Sequence, residues 1–387
     1  MATTARAASV ATDDANVPAV DGMRVDLMTP CFWPEVRRGT ERFVRTLADG
    51  LLADGVRARL ITSHPGRPTS TVEDGLPILR VPRPPDGRLS RRKFEDYIAH
   101  LPLVYGVARI SDAALLHAFA PGDASVAARV SKRTGVPAVF SYMGVPDHAG
   151  LTSRRRRLDL TLEALAGCKL TVALSRYAAT EFERWLGYEA RVIHPGVELD
   201  GFPVGTQRSE DPTIVCAATL SEPRKRIPLL VEAHRLVRRE HPRARLLLDR
   251  PRDPKLAERY EDPDGGVELI SMDDRARMAE LLGSAWTAAL PSTGEAFGLV
   301  LVEALATGTP VVGTETGAFP EIVDRPEVGR LFAGNDPEPL AAALLETLEL
   351  AGDAGTRAAC RARAEDFSVA RTVAEYERLY AELARGA

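Results

Sequence analysis

Short apolar runs alternate with helix-period patterns along almost the whole chain. Runs of strand length occupy 24–28, 57–61, 78–81, 114–117, 138–141, 170–174 and 191–194. Between the first two, Phe43, Val44, Leu47 and Leu51 share one helical face, with Thr40 as the predicted N-cap and Gly55 as the stop. A break rich in Gly, Pro and polar residues runs from 195 to 212. A second series follows, with strands expected at 214–218, 245–249, 267–270, 286–290, 310–313 and 329–332 and helices at 227–240 and 275–282. Finally, 369–384 carries Val373, Tyr376, Leu379, Tyr380 and Leu383 at helical spacing. Alternation of this kind builds parallel sheets covered by helices on both faces. The pattern predicts an α/β chain of two doubly wound domains, 22–200 and 201–368, joined near residue 200. Such sheets bind ligands outside the carboxyl ends of their strands, so two facing sheets frame a cleft with a wall for each of two substrates.

Composition narrows the class. The chain has 387 residues, 45% of them apolar, enough for two cores. A net charge of -4 gives no global reason to expect nucleic acid or an acidic membrane as partner. Cys31, Cys168, Cys216 and Cys360 form no CxxC pair and sit in or beside apolar runs, as buried reduced thiols do. Residues 1–21 lack the apolar core of a secretory signal and read as a disordered leader. No stretch approaches the ~20 apolar residues of a membrane span, and the expectation is a cytoplasmic protein. No Asp or His cluster has metal-ligand spacing, so neither metal nor cofactor is expected.

The most informative stretch is 294–303, Gly294-Glu295-Ala296-Phe297-Gly298-Leu299-Val300-Leu301-Val302-Glu303. It follows a predicted strand and a turn, and it enters a helix that Gly308 should end. Strand, glycine turn and helix N-terminus make an anion site, because the free N–H groups of the first turn and the helix dipole both favour negative charge. Gly298 lets a diphosphate approach the backbone. Glu295, in the turn, can accept from sugar hydroxyls. Glu303 lies inside the apolar stretch 299–306, where a carboxylate is costly without partners, and it can accept both hydroxyls of a ribose. The bland reading, a plain strand–helix junction with a solvated glutamate, leaves that cost unexplained.

The spacing E-x7-E from Glu295 to Glu303, continued by Ala304-Leu305-Ala306-Thr307-Gly308-Thr309-Pro310, resembles the retaining glycosyltransferases of family 4. Ser221-Glu222-Pro223-Arg224-Lys225 looks like the matching loop of bacterial mannosyltransferases such as the phosphatidylinositol mannosyltransferases. The resemblance implies a GT-B fold, two Rossmann-like domains facing across a cleft, with the last helix, 369–387, crossing back onto the first domain. It implies that Lys225 contacts the donor diphosphate, Glu295 binds sugar hydroxyls, and Phe297, Gly298 and Leu299 present backbone N–H groups. Glu303 would hold the ribose and Met272 would line the base pocket; Ala296 and Val300 complete the donor segment. Lys225 also stands on its own, in a Pro-containing loop after the first strand of the second domain. Arg224, Lys225 and Arg226 equally fit a solvated basic turn.

The chain departs from the family's pattern in identifiable places. The Arg usual six residues before the loop Lys is Thr219, and the usual Gly after the Lys is Arg226. Arg226 or Arg224 is expected to supply the missing cation, since a guanidinium binds phosphate bidentately. In the first domain, Arg37, Arg38 and Gly39 stand where the family commonly has a Gly-Gly pair. Gly39 still permits close approach, and Arg38 is a candidate for a phosphate or an acidic acceptor. His117 ends its strand, either as a catalytic residue or as a structural one. A second His, common two residues on, is Phe119, and the common Thr-x-His-Gly reads Ser141-Tyr142-Met143-Gly144. Phe119, Tyr142 and Met143 suggest an acceptor pocket with aromatic and apolar contacts. Arg154 to Arg157 read as a solvated basic face, with an anionic acceptor or a peripheral membrane contact as the alternative.

These readings converge on sugar transfer from a nucleoside diphosphate, UDP or GDP, with retention implied by the resemblance. Lys225, Glu295 and His117 are the catalytic candidates. The acceptor is expected to be a small specialised metabolite, with a lipid or cell-envelope acceptor as the alternative. A nucleotide-sugar epimerase and a non-catalytic sugar-nucleotide-binding protein are the competing classes. A dehydrogenase is disfavoured because no GxGxxG follows a strand.

Overall fold

Two parallel sheets carry the molecule. The computed structural model describes residues 20–36, 39–85, 87–94 and 96–386, so residues 1–19 of the expected leader 1–21, together with Arg37 and Arg38, lie outside the described residues. The strands of the first sheet are β1 (Arg24–Met28), β2 (Arg57–His64), β3 (Thr69–Glu73), β4 (Leu76–Pro82), β5 (Leu115–Ala118), β6 (Ala138–Tyr142), β7 (Leu170–Ala173) and β8 (Arg191–Val192). Their order is β3-β4-β2-β1-β5-β6-β7-β8. The second sheet holds β9 (Thr213–Cys216), β10 (Arg245–Asp249), β11 (Val267–Ile270), β12 (Thr287–Leu290), β13 (Val311–Thr314) and β14 (Gly329–Phe332), in the order β11-β10-β9-β12-β13-β14. Every pairing is parallel except β3 with β4. These strands are apolar runs because helices cover both of their faces. The exception is β3, an exposed edge strand joined to β4 through Asp74-Gly75, both at positive φ (48° and 82°), which is a two-residue hairpin turn.

Strand order reverses at β1/β5 in the first sheet and at β9/β12 in the second. At such a switch point adjacent loops diverge and open a crevice at the carboxyl ends of the strands. The first crevice collects the chain after β1, β5 and β6. The second collects the chain after β9 and β12.

The helix Gly39–Ala53 follows β1, and Thr40 lies inside it rather than capping it. The final helix, Val369–Arg385, packs against it and buries Val373, Tyr376, Leu379 and Tyr380 in the core of the first sheet. Gly50 lets the two helices approach, since a Cβ there would collide with Val373. The chain crosses between the sheets twice, side by side: Val197 N–H donates to Phe367 O (2.8 Å) and Val369 N–H to Val197 O (3.2 Å). Glu321 of the second domain adds a tie. Its carboxylate accepts the N–H groups of Arg176 and Tyr177, both at 2.9 Å, at the start of the first-domain helix Arg176–Leu186. Among the described residues no helix is long and apolar enough to cross a membrane.

Candidate functional site

The loop after β9 and the turn after β12 are locked together. Thr293 N–H donates to Arg224 O (2.9 Å), and Arg226 Nε to Pro291 O (2.5 Å). Arg226 also donates to Gly334 O (2.9 Å) and Asn335 Oδ1 (2.7 Å), and its guanidinium lies over the Phe332 ring. Its φ is 50°, a left-handed backbone that costs a non-glycine residue about 1 kcal/mol and explains why glycine suits this place. Its hydrogen bonds offset that cost. Arg226 is therefore a brace between the loops. Of the two arginines expected to stand in for the missing cation, Arg224 is the one that faces the site.

Arg224 and Lys225 converge on Glu295. Lys225 Nζ is 2.7 Å and Arg224 Nη1 2.9 Å from Glu295 Oε2. Burial pushes the Glu295 carboxyl up, but Lys225 and then Arg224 outweigh it and hold it below the ordinary value. Glu295 is an anion flanked by two cations. From the other side Ala318 N–H donates to its carbonyl (3.3 Å).

The helix Leu299–Ala306 starts directly behind this cluster, with Gly298 as its N-cap at φ 106°. A Cβ on Gly298 would stand 2.6 Å from the Phe319 ring, so packing as well as close backbone approach requires glycine there. Ala296, Leu299 and Val300 are half-buried. Phe297 points into the core, ring to ring with His194 and Phe367, and leaves its backbone to the turn. Leu301 N–H turns back to Gly298 O (2.9 Å), which leaves the N–H groups of Leu299 and Val300 as the ones with no acceptor one turn back in their own helix.

Glu303 sits one turn further on, 4% exposed. Oε1 accepts from Arg42 Nη1 of the first domain at 3.3 Å, while Oε2 is buried with no partner. Burial raises its pKa, and Arg42 and Arg275 offset the rise only in part. A buried acceptor oxygen left open is a place for a ligand hydroxyl. Met272, also buried, follows β11 and donates its N–H to Asp249 Oδ1 (3.0 Å) at the end of β10. Thr219 is exposed.

At the other switch point lies a cavity of about 400 Å³. Phe119, Tyr142 and Met143 line it together, with Arg157 of the basic run and with Glu41 and Asp123, which sequence reasoning did not single out. Asp123 is buried, is held by His100 Nε2 at 3.0 Å, and has its second oxygen without a hydrogen-bond partner. Gly39 opens the neighbouring helix with free space where a Cβ would stand.

His117 is corrected from catalytic candidate to structural residue. It is fully buried, with Nδ1 2.6 Å from Tyr380 Oη and Nε2 2.7 Å from Ser141 Oγ. Ser141 Oγ in turn meets Tyr376 Oη at 2.9 Å. Burial pulls the imidazole pKa down to about 3. The ring is neutral and joins the final helix to the first sheet. Among the described residues no three His, Cys, Asp or Glu side chains are grouped as a metal would need.

Comparison with known proteins places the family and the fold. The model of Glycosyltransferase Family 4 matches residues 37–200, and that of Glycosyl transferases group 1 matches residues 211–350. The phosphatidyl-myo-inositol mannosyltransferase of Mycolicibacterium smegmatis is 28% identical over 366 residues, covering 89% of each chain. Among solved structures, the sucrose-phosphate synthase of Thermosynechococcus elongatus superimposes with a TM-score of 0.78 at 20% identity, covering 94% of this chain and 100% of that one. The catalytic domain of starch synthase IV from Arabidopsis thaliana, bound to ADP and acarbose, gives 0.71 at 15% identity, covering 94% and 100%.

Proposed function

Since the chain belongs to the family 4 glycosyltransferases and has their GT-B fold, we propose that it transfers a hexose from UDP or GDP to a small-molecule acceptor, with retention and without a metal. The observation that carries the donor half is the cluster at β9/β12: two cations on Glu295, a helix N-terminus behind them, and the open oxygen of Glu303. In this reading the diphosphate lies against Lys225, Arg224 and the first-turn N–H groups, the sugar hydroxyls meet Glu295, and the ribose meets Glu303.

The step breaks the bond between the anomeric carbon and the phosphate oxygen. It forms a bond from that carbon to the acceptor oxygen on the same face. The acceptor's proton passes to the departing phosphate, so no protein base is needed. Charge grows on the diphosphate as the sugar becomes oxocarbenium-like, and Lys225, Arg224 and the helix N-terminus are already arranged to stabilise it.

The acceptor half rests on the cavity at β1/β5. Its volume of about 400 Å³ suits a compact molecule, and its aromatic and apolar lining suits an amphipathic one. A lipid headgroup is the second reading, favoured by the name of the Mycolicibacterium relative and by Arg157 in the cavity wall. Incubation with UDP-, GDP- and dTDP-sugars, with and without acceptor alcohols and inositol phospholipid, tests all of this. Acceptor-dependent nucleoside diphosphate release supports transfer. An altered sugar nucleotide formed without acceptor would replace it with epimerisation.

A further inference from the structure

Counted by charge, the donor cluster is short of cations. Arg224 and Lys225 face Glu295, and Arg224 also pairs with Glu222 at 2.9 Å. Two cations thus meet two carboxylates, and a nucleoside diphosphate adds further negative charge. Thr219 offers none, and Arg226 is spent on bracing the loops.

Arg42 reaches the same place from the opposite domain. It lies in the first turn of the helix Gly39–Ala53, and its only partner among the described residues is Glu303, 261 positions away. Its side chain is 59% exposed, against 6% for Glu303. A guanidinium has five N–H groups in a fixed fork, and one contact with Oε1 leaves the others of this exposed side chain available to a ligand. Glu303 divides its oxygens, one to Arg42 and one open.

We propose that Arg42 is a donor-binding residue supplied by the acceptor domain. It keeps Glu303 Oε1 while a ribose hydroxyl takes Oε2, and its remaining N–H groups bind the diphosphate. The proposal rests on the reading of Glu303 as the ribose acceptor. Donor binding would then draw the two domains together, because one ligand touches a helix from each. It would also favour the ionised form of Glu303, which burial alone disfavours.

Calorimetry of UDP, GDP, uridine and guanosine on wild type, Arg42→Ala, Arg42→Lys and Glu303→Gln tests it. For the base that binds, Arg42→Ala should weaken the nucleoside diphosphate about tenfold or more while changing the nucleoside by less than about threefold. Arg42→Lys should recover part of the loss. Unchanged diphosphate affinity in Arg42→Ala would reduce the contact to a tie between domains, and increased affinity would make Arg42 a competitor of the donor; either overturns the proposal. The Glu303→Gln arm is separate. If it leaves nucleoside affinity unchanged, the ribose reading falls, and a diphosphate-specific loss in Arg42→Ala still supports the phosphate contact.

Discussion

Lys225 Nζ and Glu295 Oε2 stand 2.7 Å apart, so a cation and a carboxylate proposed to meet different parts of the donor also satisfy one another. Lys225 helps to hold the Glu295 carboxylate in place and ionised. Lys225→Ala should lower kcat/KM by about 10²–10³-fold, the usual cost of one preorganised charge donor, while nucleoside affinity stays within about twofold. Loss of Lys225 together with Glu295→Gln should cost less than the product of the single losses, because the two side chains are coupled. Steady-state kinetics on the four proteins measures this. A Lys225→Ala enzyme with unchanged kcat/KM would remove the loop from the donor site.

The chain His117, Tyr380, Ser141 and Tyr376 is buried and satisfied at both ring nitrogens. Tyr380→Phe strands one of them, which should cost roughly 1–3 kcal/mol of stability. Urea unfolding reads that loss, and KM for the donor should not move. With a pKa near 3, His117 should also add no limb to the kcat/KM profile between pH 5 and 8. A variant that keeps its stability but loses turnover would return His117 to the chemistry.

What could be read from the sequence depended on how local each feature was. The buried parallel strands announced themselves as apolar runs, and β10, β11 and β14 keep their expected bounds. The strand Thr69–Glu73 escaped because its side chains are polar and mostly exposed, although Asp74-Gly75 marked its turn. The donor segment was legible because strand, turn, helix start and two glutamates fall within a few residues of one another. The cavity at β1/β5 was legible only in part: Phe119, Tyr142 and Met143 were expected together, but Glu41 and Asp123 join them from separate stretches of chain that no local pattern connects. Nor could periodicity show that Arg42 meets Glu303 or that His117 meets Tyr380, pairs 261 and 263 positions apart.

Glu377 makes stability depend on pH. It lies on the final helix where that helix packs against Gly39–Ala53, and Oε1 is buried without a partner. Burial, then the neighbouring Asp54, push its pKa up to about 7 from 4.5. The native state therefore holds this proton more tightly than the unfolded chain. The resulting stability is present below pH 4.5 and is lost as pH rises towards 7. Glu377→Gln should melt higher than wild type at pH 8 and show little advantage at pH 5. A gain that is equal at both pH values would mean that the carboxyl does not titrate in this window.

Glu303 tests the centre of the donor reading, because its two roles pull in opposite directions. As a buried carboxylate with one open oxygen it costs stability, and its raised pKa means that this cost grows with pH. Without nucleotide, Glu303→Gln should therefore melt higher than wild type at pH 8, with the advantage shrinking as the solution is acidified. As a ribose acceptor the same carboxylate contributes charge-assisted hydrogen bonds worth ~1.5–3 kcal/mol each. Glu303→Ala should then weaken nucleoside diphosphate binding by about tenfold or more, and Glu303→Gln by less, since the amide keeps one acceptor oxygen. The two effects separate in one set of titrations that compares each nucleoside diphosphate with its 2′,3′-dideoxy analogue. Wild type should prefer the natural ribose, and the Ala variant should lose most of that preference while keeping its fold. Equal discrimination by both proteins would show that the ribose lies elsewhere. The open oxygen of Glu303 would then need another occupant.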